Sequence, residues 1–341
     1  MFDTIDHEIL LERLRFRYGF SNLVLQWFTS YLIDRPQRIV LDKFSSQPRR
    51  LSCGVPQGSV LGPVLFSLYI APLEDVIMAH GLNAMMYADD SQLYIIMRQS
   101  YRATALEDLT LCIQDIMSWN VSNMLKCNPK KTEIIHFSSR FSPANPIPSI
   151  KVGDCSITPS NEVKDLGVTL DRHLTLKTHI NNICRSASRS IHQIGKIRSF
   201  LSSSSTERLI HAFVSSKLDY CNSILLGLPS YELEKLQRLQ NTAARLTVRA
   251  KKSAHITPVL KSLHWLPVKE RIILKILLVT YKILHGFAPA YLNELLLNYT
   301  PHRLLRSSSL NLLSIPKTKT VTYVTDPSQS LHQSSGMTCP L

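Results

Sequence analysis

The sequence predicts an α+β fold, with a small antiparallel sheet carrying helices on one face over residues 1–171 and a helical, basic region over residues 172–320. Three observations carry this. Two apolar runs, "AMMY" and "QLYIIM", flank an acidic turn at Asp89–Asp90, which reads as a pair of short strands. Apolar residues recur at helical spacing on either side of that pair. From about residue 176 the alternating patterns stop, and between Arg172 and Lys252 there are 14 Lys or Arg against 4 Asp or Glu. With 341 residues, 44% of them apolar and only 11 glycines, the chain can bury a sizeable core as one large domain or two.

Residues 1–35 should be helical after the first turn, with Thr4 or Asp6 as N-cap and "EILLERLRF" as the amphipathic run. Residues 36–53 alternate and break at prolines, as a hairpin would. The turn-rich "GVPQGSVLGP" then leads into "VLFSLYIAPLEDVI", where Pro63 suits the first turn of a buried helix. Leu106, Leu109, Ile113, Ile116, Met117 and Met124 share one helical face, predicting a helix over 104–125. "NPKKTEIIHF" reads as a strand, 138–149 as a Pro/Ser-rich connector and "EVKDLGVTLD" as a further strand. In the basic part, "SFLSSSS" (199–205) reads as a loop between helices. The run 272–284 reads as an amphipathic core helix closed by Gly286.

A net charge of +14 and a pI near 9.5 favour a polyanionic partner, nucleic acid ahead of a membrane surface. A solvated basic face would look the same from composition. Seven cysteines are scattered singly, without the paired spacing of a zinc site, and read as reduced thiols. No signal peptide or transmembrane segment is read from the sequence, so the expected location is cytoplasmic and/or nuclear.

The chemistry concentrates at Asp89–Asp90. Adjacent carboxylates between apolar strands are costly unless something compensates them, and a divalent cation does so. Two Mg²⁺ ions on such oxygen ligands stabilise the attacking and leaving oxygens in nucleotidyl transfer. Taken alone, "YADD" is also what an exposed Asp-Asp hairpin turn looks like. Upstream, Gly54, Gly58 and Gly62 would let a backbone approach a nucleotide or template closely.

In this order and at these spacings, "FDTIDH", "GVPQGSVLGPVLFSLYI", "YADDSQLY", "LKCNPKKTEIIHF" and "VKDLGVTLD" resemble the palm motifs of a non-LTR (LINE-type) retrotransposon reverse transcriptase of the jockey-like and chicken-repeat-like group. The resemblance implies a reverse-transcriptase palm followed by a helical thumb and connection. It implies Asp89 as the principal metal-binding carboxylate, with Asp90 beside it, on a two-metal Mg²⁺ site. Phe2 would abut the sugar of the incoming nucleotide. Pro56, Gln57 and Gly58 would contact template and nucleotide beside Tyr87 of the acidic motif. Lys131 would stand near the triphosphate, and Leu166 and Gly167 would support the primer end. From the residues themselves, Phe2 reads equally as a core aromatic and Lys131 as a solvated turn residue.

In that family the opening motif follows a strand of the type D-L-S-A-A, whose Asp lies five residues before the aromatic and bridges both metals. The expectation is therefore a piece lacking the fingers region and the first catalytic carboxylate. Asp3 and Asp6 fall in the turn and helix start and are not expected to replace it. The sheet would then carry an unpaired edge beside Asp89. Residues 321–341 are expected to be a frame-shifted tail without evolved structure. The function expected is RNA-directed DNA polymerisation on an RNA template and a DNA primer or RNA–DNA hybrid with dNTP substrates. The Mg²⁺ site would be impaired and these 341 residues inactive as they stand. The alternative is a catalytically silent nucleic-acid-binding protein using residues 172–252, or a non-functional remnant.

Overall fold

Asp6 starts the first helix in the computed structural model, which describes residues 2–56, 58–97, 99–141, 146–297, 299 and 313–314. Its carboxylate accepts from the backbone N–H of Glu8 (2.9 Å) and Ile9 (3.0 Å), as an Asp N-cap does. Thr4, the other candidate cap, lies in a preceding 3₁₀ turn (Phe2–Thr4). Helix α1 (His7–Phe16) buries Leu10 and Leu14, and α2 (Asn22–Leu32) follows. The expected hairpin over 36–53 forms as two exposed rungs: β1 (Pro36–Gln37) pairs with β4 (Arg49–Arg50), and β2 (Val40–Leu41) with β3 (Phe44–Ser45).

Pro63 and Pro72 occupy the first turns of α3 (Gly62–Ile70) and α4 (Pro72–Ala79), where a missing N–H costs nothing. By length and composition alone, 62–79 is apolar enough to cross a membrane. Pro72 divides it, however, and Leu65, Phe66, Tyr69, Ile70, Leu73 and Ile77 are all buried in the protein core. Strands β5 (Asn83–Tyr87) and β6 (Asp90–Tyr94) form the acidic hairpin, and α5 (Arg102–Ser122) is the helix expected over 104–125. A small hairpin, β7 (Ile150–Val152) with β8 (Cys155–Ile157), comes after it.

"NPKKTEIIHF" is not a strand. Asn128 accepts from Lys130 N–H (3.1 Å) and starts a 3₁₀ turn over Pro129–Lys131, and only Ile135 makes a ladder contact, a parallel bridge to Ser160. An Asn-Pro pair initiates turns, and the local hydrogen bond wins over apolar alternation.

The chain divides into two compact units, 1–136 with 143–160 and 137–142 with 161–341. The hairpin β9 (Glu162–Asp165) with β10 (Val168–Asp171) therefore lies in the second unit, and this division differs from the sequence boundary at 171 by that hairpin. The first unit's core gathers Ile5, Leu10, Leu14, Phe66, Tyr69 and Cys112. Half-buried Arg13 knits it together. Its guanidinium donates to Tyr69 O and Asn123 Oδ1 and lies 4.5 Å from the Tyr69 ring centroid.

The second unit is helical after β10: α6 (Lys177–Ile197), α7 (Ser203–Ile210), α8 (Ser216–Asp219), α9 (Ser230–Val248), α10 (Ile256–Ser262) and α11 (Val268–Leu284). A π-helical turn, His211–Ser215, joins α7 to α8. The expected loop 199–205 shrinks, because Ser202 caps α7 through Ser205 N–H (3.0 Å) and the helix begins at Ser203. Gly286 follows α11 at φ 69°, with Phe287 N–H on Lys282 O (2.8 Å), a left-handed helix stop. Residues 321–341 and Gln57 lie outside the described residues.

Candidate functional site

The acidic hairpin is held from one side. Along β5 and β6 the side chains alternate, so Ala84, Met86 and Leu93 pack on the first unit's core while Met85, Tyr87 and Tyr94 stay exposed. In the ladder Tyr87 stands opposite Asp90, leaving Ala88 and Asp89 as the turn. Ala88 sits at φ 51°, the left-handed region that disfavours any residue with a Cβ. Asp89 and Asp90 are exposed, and among the described residues neither side chain makes a hydrogen bond or ion pair. Among the described residues β5 and β6 pair only with each other.

Two neighbouring carboxylates are hard oxygen donors of the kind Mg²⁺ takes. Among the described residues no group of three or more His, Cys, Asp or Glu side chains could hold a metal ion. The donor chemistry fits a divalent cation; a closed two-metal centre is not built from these residues.

The opening motif packs directly on the glycine-rich loop. Asp6 pairs with Cys53 in an antiparallel bridge, Gly54 N–H donates to Ile5 O (2.7 Å), and His7 Nε2 donates to Gly54 O (2.8 Å). Cys53 Sγ donates to Asp3 O at 3.3 Å. Gly54 lies at φ 91°, and a Cβ there would come within 2.9 Å of Asp3 Cα. Its closeness thus serves the protein's own backbone, not a nucleotide. Gly62 likewise approaches Pro56 O, whereas a Cβ on Gly58 (φ 78°) would meet nothing within 4 Å among the described residues. Ser59 fixes the loop: its Oγ donates to Pro56 O (2.8 Å) and accepts from Gly62 N–H (3.0 Å).

Residues 3–7 and 53–62 are thus tied to one another through hydrogen bonds that sequence reasoning did not foresee. His7 and Cys53 carry side-chain bonds between them, and Ser59 fixes the loop from within. Only Ser59 had a local signal, as a Ser in a Gly/Pro turn ahead of a helix. Phe2 belongs to the 3₁₀ turn beside this junction. Lys131 ends the turn capped by Asn128 and is exposed.

Leu166 and Gly167 belong to the second unit and form the two-residue turn between β9 and β10, at φ 42° and 86°. A type I′ hairpin turn has both angles positive, so Leu166 is the strained member. Tyr220 braces it, its hydroxyl donating to Leu166 O and its ring lying under Gly167. Nothing in the sequence links Tyr220 to a turn 54 residues away.

A family model for reverse transcriptase (RNA-dependent DNA polymerase) matches residues 1–170. The RNA-directed DNA polymerase from mobile element jockey of Drosophila melanogaster is 31% identical over 167 residues, 45% of this chain and 17% of that protein. The probable RNA-directed DNA polymerase from transposon BS, also of Drosophila melanogaster, is 28% identical over 57% of this chain and 21% of its own length. The jockey polymerase of Drosophila funebris is 25% identical over 70% of this chain and 26% of its own length. The chain spans about a quarter or less of the curated relatives it matches.

Proposed function

Residues 1–170 of the chain belong to the reverse transcriptase (RNA-dependent DNA polymerase) family, and on that premise we propose that the Asp89–Asp90 turn is the nucleotidyl-transfer centre of a non-LTR retrotransposon polymerase domain. One observation carries the reading: two adjacent exposed carboxylates stand at the tip of a hairpin whose other face is locked into the core. Asp89 is the principal metal carboxylate and Asp90 the supporting one. Mg²⁺ held there would stabilise charge on the attacking and leaving oxygens.

The chain's own residues position the substrates, an RNA template, a DNA primer or RNA–DNA hybrid, and a dNTP. Phe2 stands against the incoming sugar. The Pro56–Gly58 turn, pinned by Ser59, meets the template and the nucleotide. Tyr87, opposite Asp90, extends the exposed face beside the turn. Lys131 brings positive charge toward the triphosphate, where it would favour pyrophosphate departure. Leu166 and Gly167 support the primer end.

A luminescent lanthanide that replaces Mg²⁺ and is sensitised by Tyr87 tests the centre. Asp89→Asn should weaken its binding at least ~10-fold, about 1.4 kcal/mol for a lost charged ligand; unchanged binding would remove Asp89 from the site. With no third carboxylate grouped with Asp89 and Asp90 among the described residues, primer extension by this polypeptide in Mg²⁺ should stay at background. Incorporation of dNTP that Asp89→Asn abolishes would establish an active polymerase instead. The same lack of a third carboxylate favours, as a second reading, a silent nucleic-acid binder working through the basic helices.

A further inference from the structure

Helix α11 has two apolar sides. Val268, Ile272 and Ile276 pack on the second unit's core, and Ile283 is buried on the same side of the helix. On the opposite side Leu274, Leu277, Leu278, Tyr281 and Leu284 are 44% to 54% exposed. At about 3.6 residues per turn these five share a stripe covering roughly a third of the circumference. Leu274, Leu277, Tyr281 and Leu284 follow one another by three, four and three residues, the a/d spacing of a helix–helix seam, with Leu278 beside it. A helix that is apolar on both sides belongs in an interior.

The amount of surface suits a partner protein. At roughly 200 Å² for a large apolar side chain, the exposed parts of the stripe come to about 500 Å². Phe287 is exposed just beyond the helix, and the 3₁₀ turn Ala290–Leu295, which packs against α11, adds exposed Tyr291 and Leu295. On the same scale the total is about 900 Å², against about 800 Å² that one partner gives to a standard interface.

Charge says which partner fits. Ile273 and Thr280 border the stripe on one side, and Arg271, Lys275 and Lys282 on the other. Arg271 is held by both carboxylate oxygens of Asp219. Lys275 and Lys282 are exposed, about a quarter-turn from the seam, where their stems can keep the ammonium groups in water. Within the stripe itself the charge is polarised along the axis. Glu270 stands at its N-terminal end, and His285, stacked on Tyr281 at 4.1 Å, at its C-terminal end. Turned end for end, a second α11 sets each Glu270 against the other copy's His285, so the surface is complementary to itself.

We propose that α11 is a dimerisation helix, through which two copies of this chain pack their Leu274–Leu277–Tyr281–Leu284 seams antiparallel about a two-fold axis. This goes beyond the polymerase reading and does not need it, because every residue involved lies outside 1–170.

Sedimentation equilibrium of the full chain over a wide concentration range tests it. Mass should rise from monomer to dimer and go no further, since an isologous contact closes on itself. Each copy carries +14, so added salt should tighten the dimer by screening that repulsion. Leu277→Glu and Tyr281→Glu place like charges face to face, and each should raise the dimer dissociation constant at least ~100-fold. Both side chains are exposed, so helical circular dichroism should not change. Glu270→Lys should weaken pairing, and adding His285→Glu should restore it; absence of that rescue overturns the antiparallel arrangement. Leu23→Glu, an exposed site on α2, should leave the mass unaltered. The proposal is overturned if the chain stays monomeric throughout, if the seam variants still dimerise like the parent, or if Leu23→Glu dissociates the dimer as they do. It is equally overturned if the seam residues serve only to bind anionic vesicles, an attachment that salt would weaken. Asp89→Asn should dimerise like the parent chain, so failure of the metal centre and failure of the seam are read separately.

Discussion

Ala88 and Leu166 hold left-handed backbone at φ 51° and 42° at the tips of two hairpins, each on a motif proposed to face nucleic acid. A Cβ in that region costs roughly 1–2 kcal/mol, and such strain persists where surrounding structure over-determines the turn. Ala88 is exposed, so removing its methyl sacrifices no packing. Ala88→Gly should therefore stabilise the first unit by about 0.5–1 kcal/mol, strain relief less the glycine's entropy, with an equal urea m-value. A stability equal to or below the parent's would show that the turn is unstrained. Asp6 was legible as a cap because its partners lie two and three residues ahead. His7, next to it, was not, because its partner carbonyl at Gly54 is 47 residues away.

The junction of β10 and α6 shows how one side chain can organise an element boundary. Partial burial pushes the Asp171 carboxyl upward, but the backbone N–H groups of Thr175, Leu176 and His173 and the Thr175 hydroxyl all donate to it. Together they outweigh burial and hold it below the usual carboxylate range. A depressed folded value means stability present above the unfolded pKa, about 3.9, and lost as pH falls through the lower folded one. Acid titration followed by helical circular dichroism should show α6 loosening only below about pH 4, and Asp171→Asn should flatten that part of the profile. An identical profile in the variant would remove Asp171 from the acid response. At this scale the long amphipathic helices were legible, since their period is written in the residues themselves. "NPKKTEIIHF" misled because apolar alternation without a partner strand yields to the nearest local hydrogen bond.

Two cores, one built on Tyr69 and Phe66 and the other on Leu236, Ala244 and Trp265, lie in separate compact units. Burial pushes the Cys112 thiol up to about 11, with the charge of Asp115 adding to it, so its alkylation reports opening of the first unit. Trp265 reports the second when Trp27 and Trp119 are replaced by Phe. The two probes should follow different urea transitions; coincident curves would mean a single cooperative unit. By itself the sequence determined the α+β class, the order of the motifs, the acidic turn and the basic excess of the helical half. All of these depend on residue type and near-neighbour spacing. Only the tertiary structure decided that Gly54 serves the Asp3 backbone, that the acidic strands form a two-stranded hairpin among the described residues, and where the free positive charge lies. Composition counts Arg198 and Lys196 alike. Folding spends the first on buried carbonyls and leaves the second exposed, because desolvation and hydrogen bonding depend on contacts between residues far apart in the chain.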